Sequence, residues 1–288
     1  MENELNTSSE SVRVKSSSPL RGYFAGLVMI ICLVAGFALF YGVFGAADNF
    51  EGNNPNNHPK PGNYLGIIYK GGIIIPFAIA MVLLMFAISI ERLITIGRAS
   101  GKGSMDVFVQ RISIHLENED IQAALDECDA QRGSVGNVVR EAIRKYGEMV
   151  EEAKKDKAQG ITPDQSTKEH RVASIQKALE EATALELPML ERHLIIIATI
   201  VSLATLVGLI GTVIGMIKAF SALATSGAPD AVALANGIAE ALINTAIGIT
   251  NSAFATVFYN YFTSRIDAMV FRMDEAGYSI VQSYNEKY

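Results

Sequence analysis

Thr212, Thr245 and Glu240 are two hydroxyls and one carboxylate that fall inside long apolar stretches of the chain. A hydroxyl donates and accepts at once, so a threonine can pass or orient a proton through water without ever holding charge. A carboxylate in hydrocarbon costs about 3 kcal/mol or more unless water, a partner or a proton offsets it, which marks Glu240 as a functional candidate. Their neighbours recur at helical spacing. Thr199, Thr205, Gly208, Thr212 and Gly215 make one small, hydroxyl-bearing stripe, and Gly237, Glu240, Asn244, Gly248 and Asn251 make a second, with Ala241, Thr245 and Ser252 adjoining it.

Two readings compete for these faces. In the first they pack helices: Gly211 and Gly215 form a GxxxG, and Thr and Asn bond between helices at about 0.6–2 kcal/mol each. In the second they line an aqueous, ion-handling lumen. Packing explains the glycines but explains Glu240 poorly. By residue rise Glu240 lies about 14 Å and Thr245 about 21 Å from the outer start of their helix. One carboxylate and several hydroxyls make a poor proton relay alone, so a further titratable group is expected from a partner helix.

The elements that carry these residues must be membrane spans. The chain has 288 residues, 50% hydrophobic and 19% charged, which is too apolar for a water-soluble surface. A net charge of −6 excludes a generally basic nucleic-acid binder. The first apolar run, Tyr23 to Phe44, reaches about 33 Å and can cross a bilayer. Arg13, Lys15 and Arg21 before it and Gly45, Ala46 and Ala47 after it resemble a signal peptide, but the run exceeds the usual core of about 7–15 residues, so a retained span is expected. Gly72 to Ile90 follows, with Pro76 near its start and Glu91 and Arg92 at its end, then Leu194 to Ile217, then the less apolar Ala231 to Phe262. With no tryptophan, interfacial anchoring falls to Tyr23, Tyr41, Tyr64, Tyr69, Tyr259 and Tyr261.

Fifteen of the 24 lysines and arginines lie between Arg92 and Arg192. The positive-inside rule therefore puts that segment and both termini in the cytoplasm. The expected fold is all-α: a polytopic membrane protein with four transmembrane helices, two of them extending far into the cytoplasm, plus a small helical cytoplasmic domain. Its expected divisions are a tail (1–22), an additional first span (23–44), an outer loop (45–70), a second span (71–98), the cytoplasmic domain (99–192), a third span (193–220), a short outer loop (221–230), a fourth span (231–264) and a C-terminal helix (265–288). The outer loop's GNNPNNHPKPGN cannot bury a core and reads as a tether or lid. Ser104, Asp120 and Ser134 open three amphipathic helices, and a break falls at Gly160 to Gln165, with Thr162 and Pro163. From Lys168 the helical pattern runs straight into the third span, kinked at Pro188, for about 80 Å if unbroken.

The stretch from Leu190 to Arg265 resembles the MotA/TolQ/ExbB proton-channel family. The likeness rests on LER at 190–192, GLIGTVIGMIKAF at 208–220, GIAEALINTAIGI at 237–249 and YNYFTSRI at 259–266, and extends more weakly to ERLITIGRA at 91–99 and AALDECDA at 123–130. It covers about 190 residues and leaves the first span outside. Thr205 and the segment Asn251 to Phe254 stand where family members commonly carry prolines, which bears on helix kinks. The resemblance, closest to ExbB with TolQ next, implies a homopentamer in a bacterial inner membrane, its third and fourth helices around a lumen. That lumen would hold an ExbD/TolR-like single-span partner with an ionisable aspartate, and a TonB/TolA-like protein would take up the work. On this resemblance Thr212 and Thr245 match the proton pathway and Glu240 the lumen charge; Thr199, Thr205, Gly208, Gly211, Gly215, Gly237, Asn244, Gly248 and Asn251 line the lumen or pack. A purely structural scaffold is the alternative outside the family's function.

Other signals carry less. GRASGKGS (97–104) has one residue too few between its glycines for a phosphate loop and follows a span rather than a strand. The four histidines show no metal-ligand spacing, so no metal or cofactor is expected. His193 reads as an interface residue, and Cys32 and Cys128 as buried thiols. No nucleophile, base and orienting acid are grouped, so enzymatic activity is not expected.

Overall fold

The computed structural model describes residues 20–161, 164–224 and 231–288, with side chains from residue 25 onward. The N-terminal tail to residue 19, Thr162 and Pro163, the outer-loop residues 225–230 and the Tyr23 side chain lie outside that description.

The described chain is helical throughout, with a single isolated bridge between Phe50 and Pro59 in place of any strand. The helices are α1 (Leu20–Leu39, continued by a π turn at Phe40–Phe44), α2 (Tyr64–Tyr69), α3 (Ile75–Ala99), α4 (Met105–Glu117), α5 (Ile121–Gln131), α6 (Gly133–Ala158), α7 (Gln165–Glu191), α8 (Leu194–Ala224) and α9 (Ala231–Lys287). Four of them are long and apolar enough to cross a membrane: Ala25–Phe44, Gly72–Ala99, Leu194–Ala224 and Ala231–Lys287. At 57 residues α9 is about 85 Å long, more than twice a bilayer core.

That excess length builds the helical domain. Ile266, Met269, Met273, Ala276, Ile280 and Tyr284 follow intervals of three and four down the second half of α9 and are all buried. They meet Phe108, Ile112 and Leu116 of α4 and Val139, Ile143, Tyr146 and Val150 of α6 in one continuous core. The last turn is also tied down, since Lys287 Nζ donates to the Leu116 and Glu117 carbonyls at the end of α4. Asp120 and Asp164 cap α5 and α7 through the amides of Ala123 and Thr167. Ser104 makes no side-chain cap, and α6 starts at Gly133, one residue before the Ser134 expected to open it.

Glu152 and Asp156, a like-charge pair along α6, both turn to Arg171 of α7, which is 2% exposed. The repulsion along the helix is thereby offset by one buried guanidinium. Cys128 lies in the same domain, and burial pushes its thiol up to about 12. A thiol so raised holds its proton at pH 8 and is a poor nucleophile. In a Cys32→Ser protein, maleimide labelling at pH 8 is therefore expected to be negligible until denaturant unfolds the domain; rapid labelling of the folded protein would contradict that.

Two expectations from sequence need correction. The run from α7 into α8 is not one helix kinked at Pro188: Pro188 stays inside α7, and the break falls at Arg192–His193, where His193 takes φ +67°. In an unbroken helix the Leu190 carbonyl would accept from the Leu194 amide. Here Arg92 Nη1 of α3 donates to that carbonyl at 3.2 Å.

The loop at 45–70 is also no tether, since it folds around Phe50, which is fully buried. Tyr69 stacks on Phe40 at 4.6 Å and meets Phe50 edge-on at 5.4 Å. Asn49 donates to the Val43 and Phe44 carbonyls and accepts from Asn63, and Lys70 Nζ reaches the carbonyls of Pro55 and Asn56. The asparagines thus act as backbone partners where apolar residues are scarce.

Candidate functional site

The antiparallel pair α8–α9 is the most extensive helix contact of the described chain. Glycines allow the approach. A Cβ on Gly215 would lie 2.6 Å from the Ala241 nitrogen, on Gly237 2.6 Å from the Ala219 nitrogen, and on Gly248 2.7 Å from the Ala204 oxygen. Backbone cannot give way at such distances, so each of these positions needs a hydrogen for a side chain. Gly208 faces the Asn244 carbonyl and the Gly248 Cα, and Gly211 faces the Asn244 side chain. The GxxxG at Gly211 and Gly215 is used for packing within one chain.

The second polar stripe points into the chain. Glu240, Asn244 and Asn251 are 7%, 2% and 3% exposed. Asn244 Nδ2 donates to the Gly71 carbonyl at 2.8 Å and to the Glu240 carbonyl at 2.9 Å, fastening α9 to the turn ahead of α3. Glu240 does not stand open. Its Oε1 accepts from Lys218 Nζ of α8 at 2.6 Å, and its carboxyl lies against Gly72. Nothing in local spacing marks Lys218, because its contact with a carboxylate on the antiparallel neighbour depends on the register of α8 against α9.

The two threonines lie on a different sector, and both are half-buried. Thr212 Oγ1 and Thr245 Oγ1 are in direct hydrogen-bond contact across the α8–α9 seam. Thr212 Oγ1 also reaches the Gly208 carbonyl at 3.2 Å, and Thr245 Oγ1 the Ala241 carbonyl at 3.2 Å. Two hydroxyls bring two protons: one lies between the oxygens, the other goes to a backbone carbonyl at either end. The pair therefore has two arrangements of opposite direction at no cost in packing. Thr212 further lines an open groove of about 580 Å³ with Val213, Met216, Ile217, Phe220, Ser221 and Ala224.

The remaining hydroxyls extend the seam. Thr199 is exposed and bonds its own Ile195 carbonyl, Thr205 is half-buried, and Ser252 of α9 donates to the Val201 carbonyl of α8 at 2.5 Å.

A cluster that the sequence marked only as the end of a span closes the other end of α3. Arg92, 2% exposed, forks onto Glu91 through Nε at 2.7 Å and Nη2 at 2.5 Å; Thr95 donates to the same carboxylate, and His193 Nδ1 lies 3.3 Å from it. His193 is thus an interface residue between α3 and the α7–α8 break. GRASGKGS is also absorbed by packing, as the Lys102 amide donates to the Gln131 carbonyl and Gly101 abuts Arg132. Among the described residues no three His, Cys, Asp or Glu side chains gather as a metal site.

Long apolar helices, with close glycine contacts and a polar seam between two of them, define a multi-pass, helical membrane protein among the described residues. The sequence model of the MotA/TolQ/ExbB proton channel family matches residues 134–275, from α6 to most of α9. This stretch of the chain is similar to that family and contains every seam residue. It is 38% identical over 89 residues to the ExbB-like 3 biopolymer transport protein of Synechocystis sp., covering 30% of this chain and 42% of that one. It is 27% identical over 173 residues to the Tol-Pal system protein TolQ of Pseudomonas aeruginosa, covering 60% and 70%. The biopolymer transport protein ExbB of Xanthomonas campestris pv. campestris is 30% identical over 118 residues, covering 41% and 47%. The chain thus spans less than half of the two ExbB-type relatives' own length. The family is one of proton channels, not an enzyme family.

Proposed function

We propose that this chain is an ExbB-like subunit of a proton-driven motor in the bacterial inner membrane, coupling the proton-motive force to TonB-dependent transport across the outer membrane. The observation that carries the reading is the hydrogen-bonded Thr212–Thr245 pair on the half-exposed α8–α9 seam. In this reading copies of the chain assemble, as a homopentamer, around an ExbD/TolR-like single-span partner. An aspartate on that partner takes its proton from water on one side and returns it to water on the other, and the threonine pair orients that exchange by offering a hydroxyl that donates or accepts in its two hydrogen-bond arrangements. Each charge crossing supplies about 2.3 kcal/mol per 100 mV, and successive crossings turn or shift the partner, which pulls on a TonB/TolA-like protein.

The topology proposed with it has both termini, the 99–192 domain and the 265–288 segment in the cytoplasm, and the knot around Phe50 in the periplasm. The excess of Lys and Arg between residues 92 and 192 supports it. The additional first span lies outside the family match and packs along α3, where Gly36 meets the Pro76 carbonyl.

A TolQ-like role in envelope maintenance is the second reading, favoured by the length of the match to the Pseudomonas protein. Deleting the gene separates the two. The TonB reading predicts loss of energised uptake through outer-membrane receptors with an intact barrier to detergent; the Tol reading predicts a leaky envelope with uptake retained. A deletion strain normal in both respects contradicts the motor.

A further inference from the structure

Glu91 and Glu240 are the carboxylates among the described residues of the four spans as far as Phe262, and each already has a basic partner within the chain. Glu91 holds the neighbouring Arg92, fixed and buried. Lys218 differs in two respects: its side chain is 52% exposed, and it reaches Glu240 on a flexible stem from the opposite helix.

The surroundings of the Glu240 carboxyl are otherwise closed. The side chain is 9% exposed, and Gly72, at φ +75°, lies so near that a Cβ there would stand 2.3 Å from Oε1. The nearby carbonyls of Gly71 and of Glu240 itself are taken up by the amide of Asn244. A carboxylate with so little exposure calls for a positive partner, and a small metal cation is one class of partner that carboxylate oxygens attract. Here the one open side of the carboxylate is filled by an ammonium at 2.6 Å. An ammonium is a compact point charge with three donors, so it neutralises the carboxylate and repels any second cation that approaches. Protons are not excluded, because the hydroxyls of Thr212 and Thr245 lie on another sector and carry no charge.

We propose that Lys218 is a tethered counter-cation that occupies the place an alkali-metal ion would take on Glu240, and so keeps the α8–α9 seam closed to sodium. The inference rests on the reading of that seam as an ion path, but its test needs no ion flow. The full-length protein in detergent is unfolded thermally in sodium chloride and in choline chloride at equal ionic strength, with a thiol-reactive dye reporting exposure of the two buried cysteines. Wild type and Lys218→Arg are expected to unfold at the same temperature in both salts. Lys218→Met is expected to gain about 3 °C in sodium at about ten times its dissociation constant, and Lys218→Met with Glu240→Gln to lose that gain. A sodium-specific gain in the wild type overturns the proposal, and so does Lys218→Met remaining indifferent to sodium up to molar concentration. If Lys218→Met does not fold, Lys218→Asn, which keeps a polar side chain at the position, is read by the same criteria. Absence of proton flow in any assay would sink the motor reading while leaving these outcomes decisive for Lys218.

Discussion

Replacing Thr212 and Thr245 together by valine is expected to abolish energised outer-membrane work while leaving the protein folded and assembled. Valine nearly matches threonine in shape, so the α8–α9 packing set by Gly208, Gly215, Gly237 and Gly248 is unchanged. The lost hydroxyls bonded to each other, so the double change removes both partners of that bond at once, and to carbonyls of their own helices, Gly208 for Thr212 and Ala241 for Thr245, which already serve the helical ladder. The stability cost is about 1 kcal/mol per hydroxyl, too little to unfold a four-span helical protein. The functional cost is of another order, because without Oγ1 on either helix the pair can no longer hydrogen-bond and orient a protonated donor opposite it. Uptake in a deletion strain carrying the double variant should fall to that of the empty strain, with membrane abundance and native mass equal to wild type. A scaffold would behave otherwise: the double variant would support normal uptake, and that result would remove the threonines from any proton path. Thr245→Ser is the matching control, since it keeps the hydroxyl and should keep most of the activity.

The threonines, Glu240 and the glycines were legible because membranes make polar and small residues conspicuous at helical spacing. The four spans, the three helices after residue 104 and the continuation of the fourth span down the stripe Ile266, Met269 and Met273 were legible for the same reason: periodicity reports which face is covered. What periodicity does not report is register between helices. Lys218 and Glu240 are 22 residues apart, and only the antiparallel offset of α8 against α9 makes them partners. Spacing separates Glu240 and Asn244 from Thr245 on adjoining sectors of α9, but does not show which sector is buried inside the chain and which stays half-open. The break at His193 was hidden because its cause, the Arg92 guanidinium on the Leu190 carbonyl, comes from a helix 98 residues away in sequence. The knot around Phe50 was hidden by composition: its order comes from asparagine-to-backbone bonds and one buried ring, and a count of apolar residues reads neither.

Arg92→Gln is expected to be the most destabilising single change described here. Arg92 is 2% exposed and makes three bonds at once, two to the Glu91 carboxylate and one to the Leu190 carbonyl at the end of α7. Removing one member of a buried ion pair strands the other, at a cost of about 3–5 kcal/mol. Glu91 would be left with Thr95 and with His193 at 3.3 Å, and the last turn of α7 would lose the donor that stands in for its missing helical bond. A fall in unfolding temperature of about 10 °C is expected at this chain length, read by dye labelling of Cys32 and Cys128 as they become exposed. Glutamine cannot fork onto a carboxylate, and lysine carries charge without the fork, so Arg92→Lys should fall between wild type and Arg92→Gln. Neutralising both partners in Glu91→Gln with Arg92→Gln should restore part of the loss, because no uncompensated charge then remains buried. If Arg92→Gln shifts the transition by less than about 2 °C, the cluster does not hold α3 to the α7–α8 break, and the break has another cause. The substitutions therefore separate in kind: the threonines should cost work without stability, and Arg92 should cost stability at the joint through which the helical domain meets the spans.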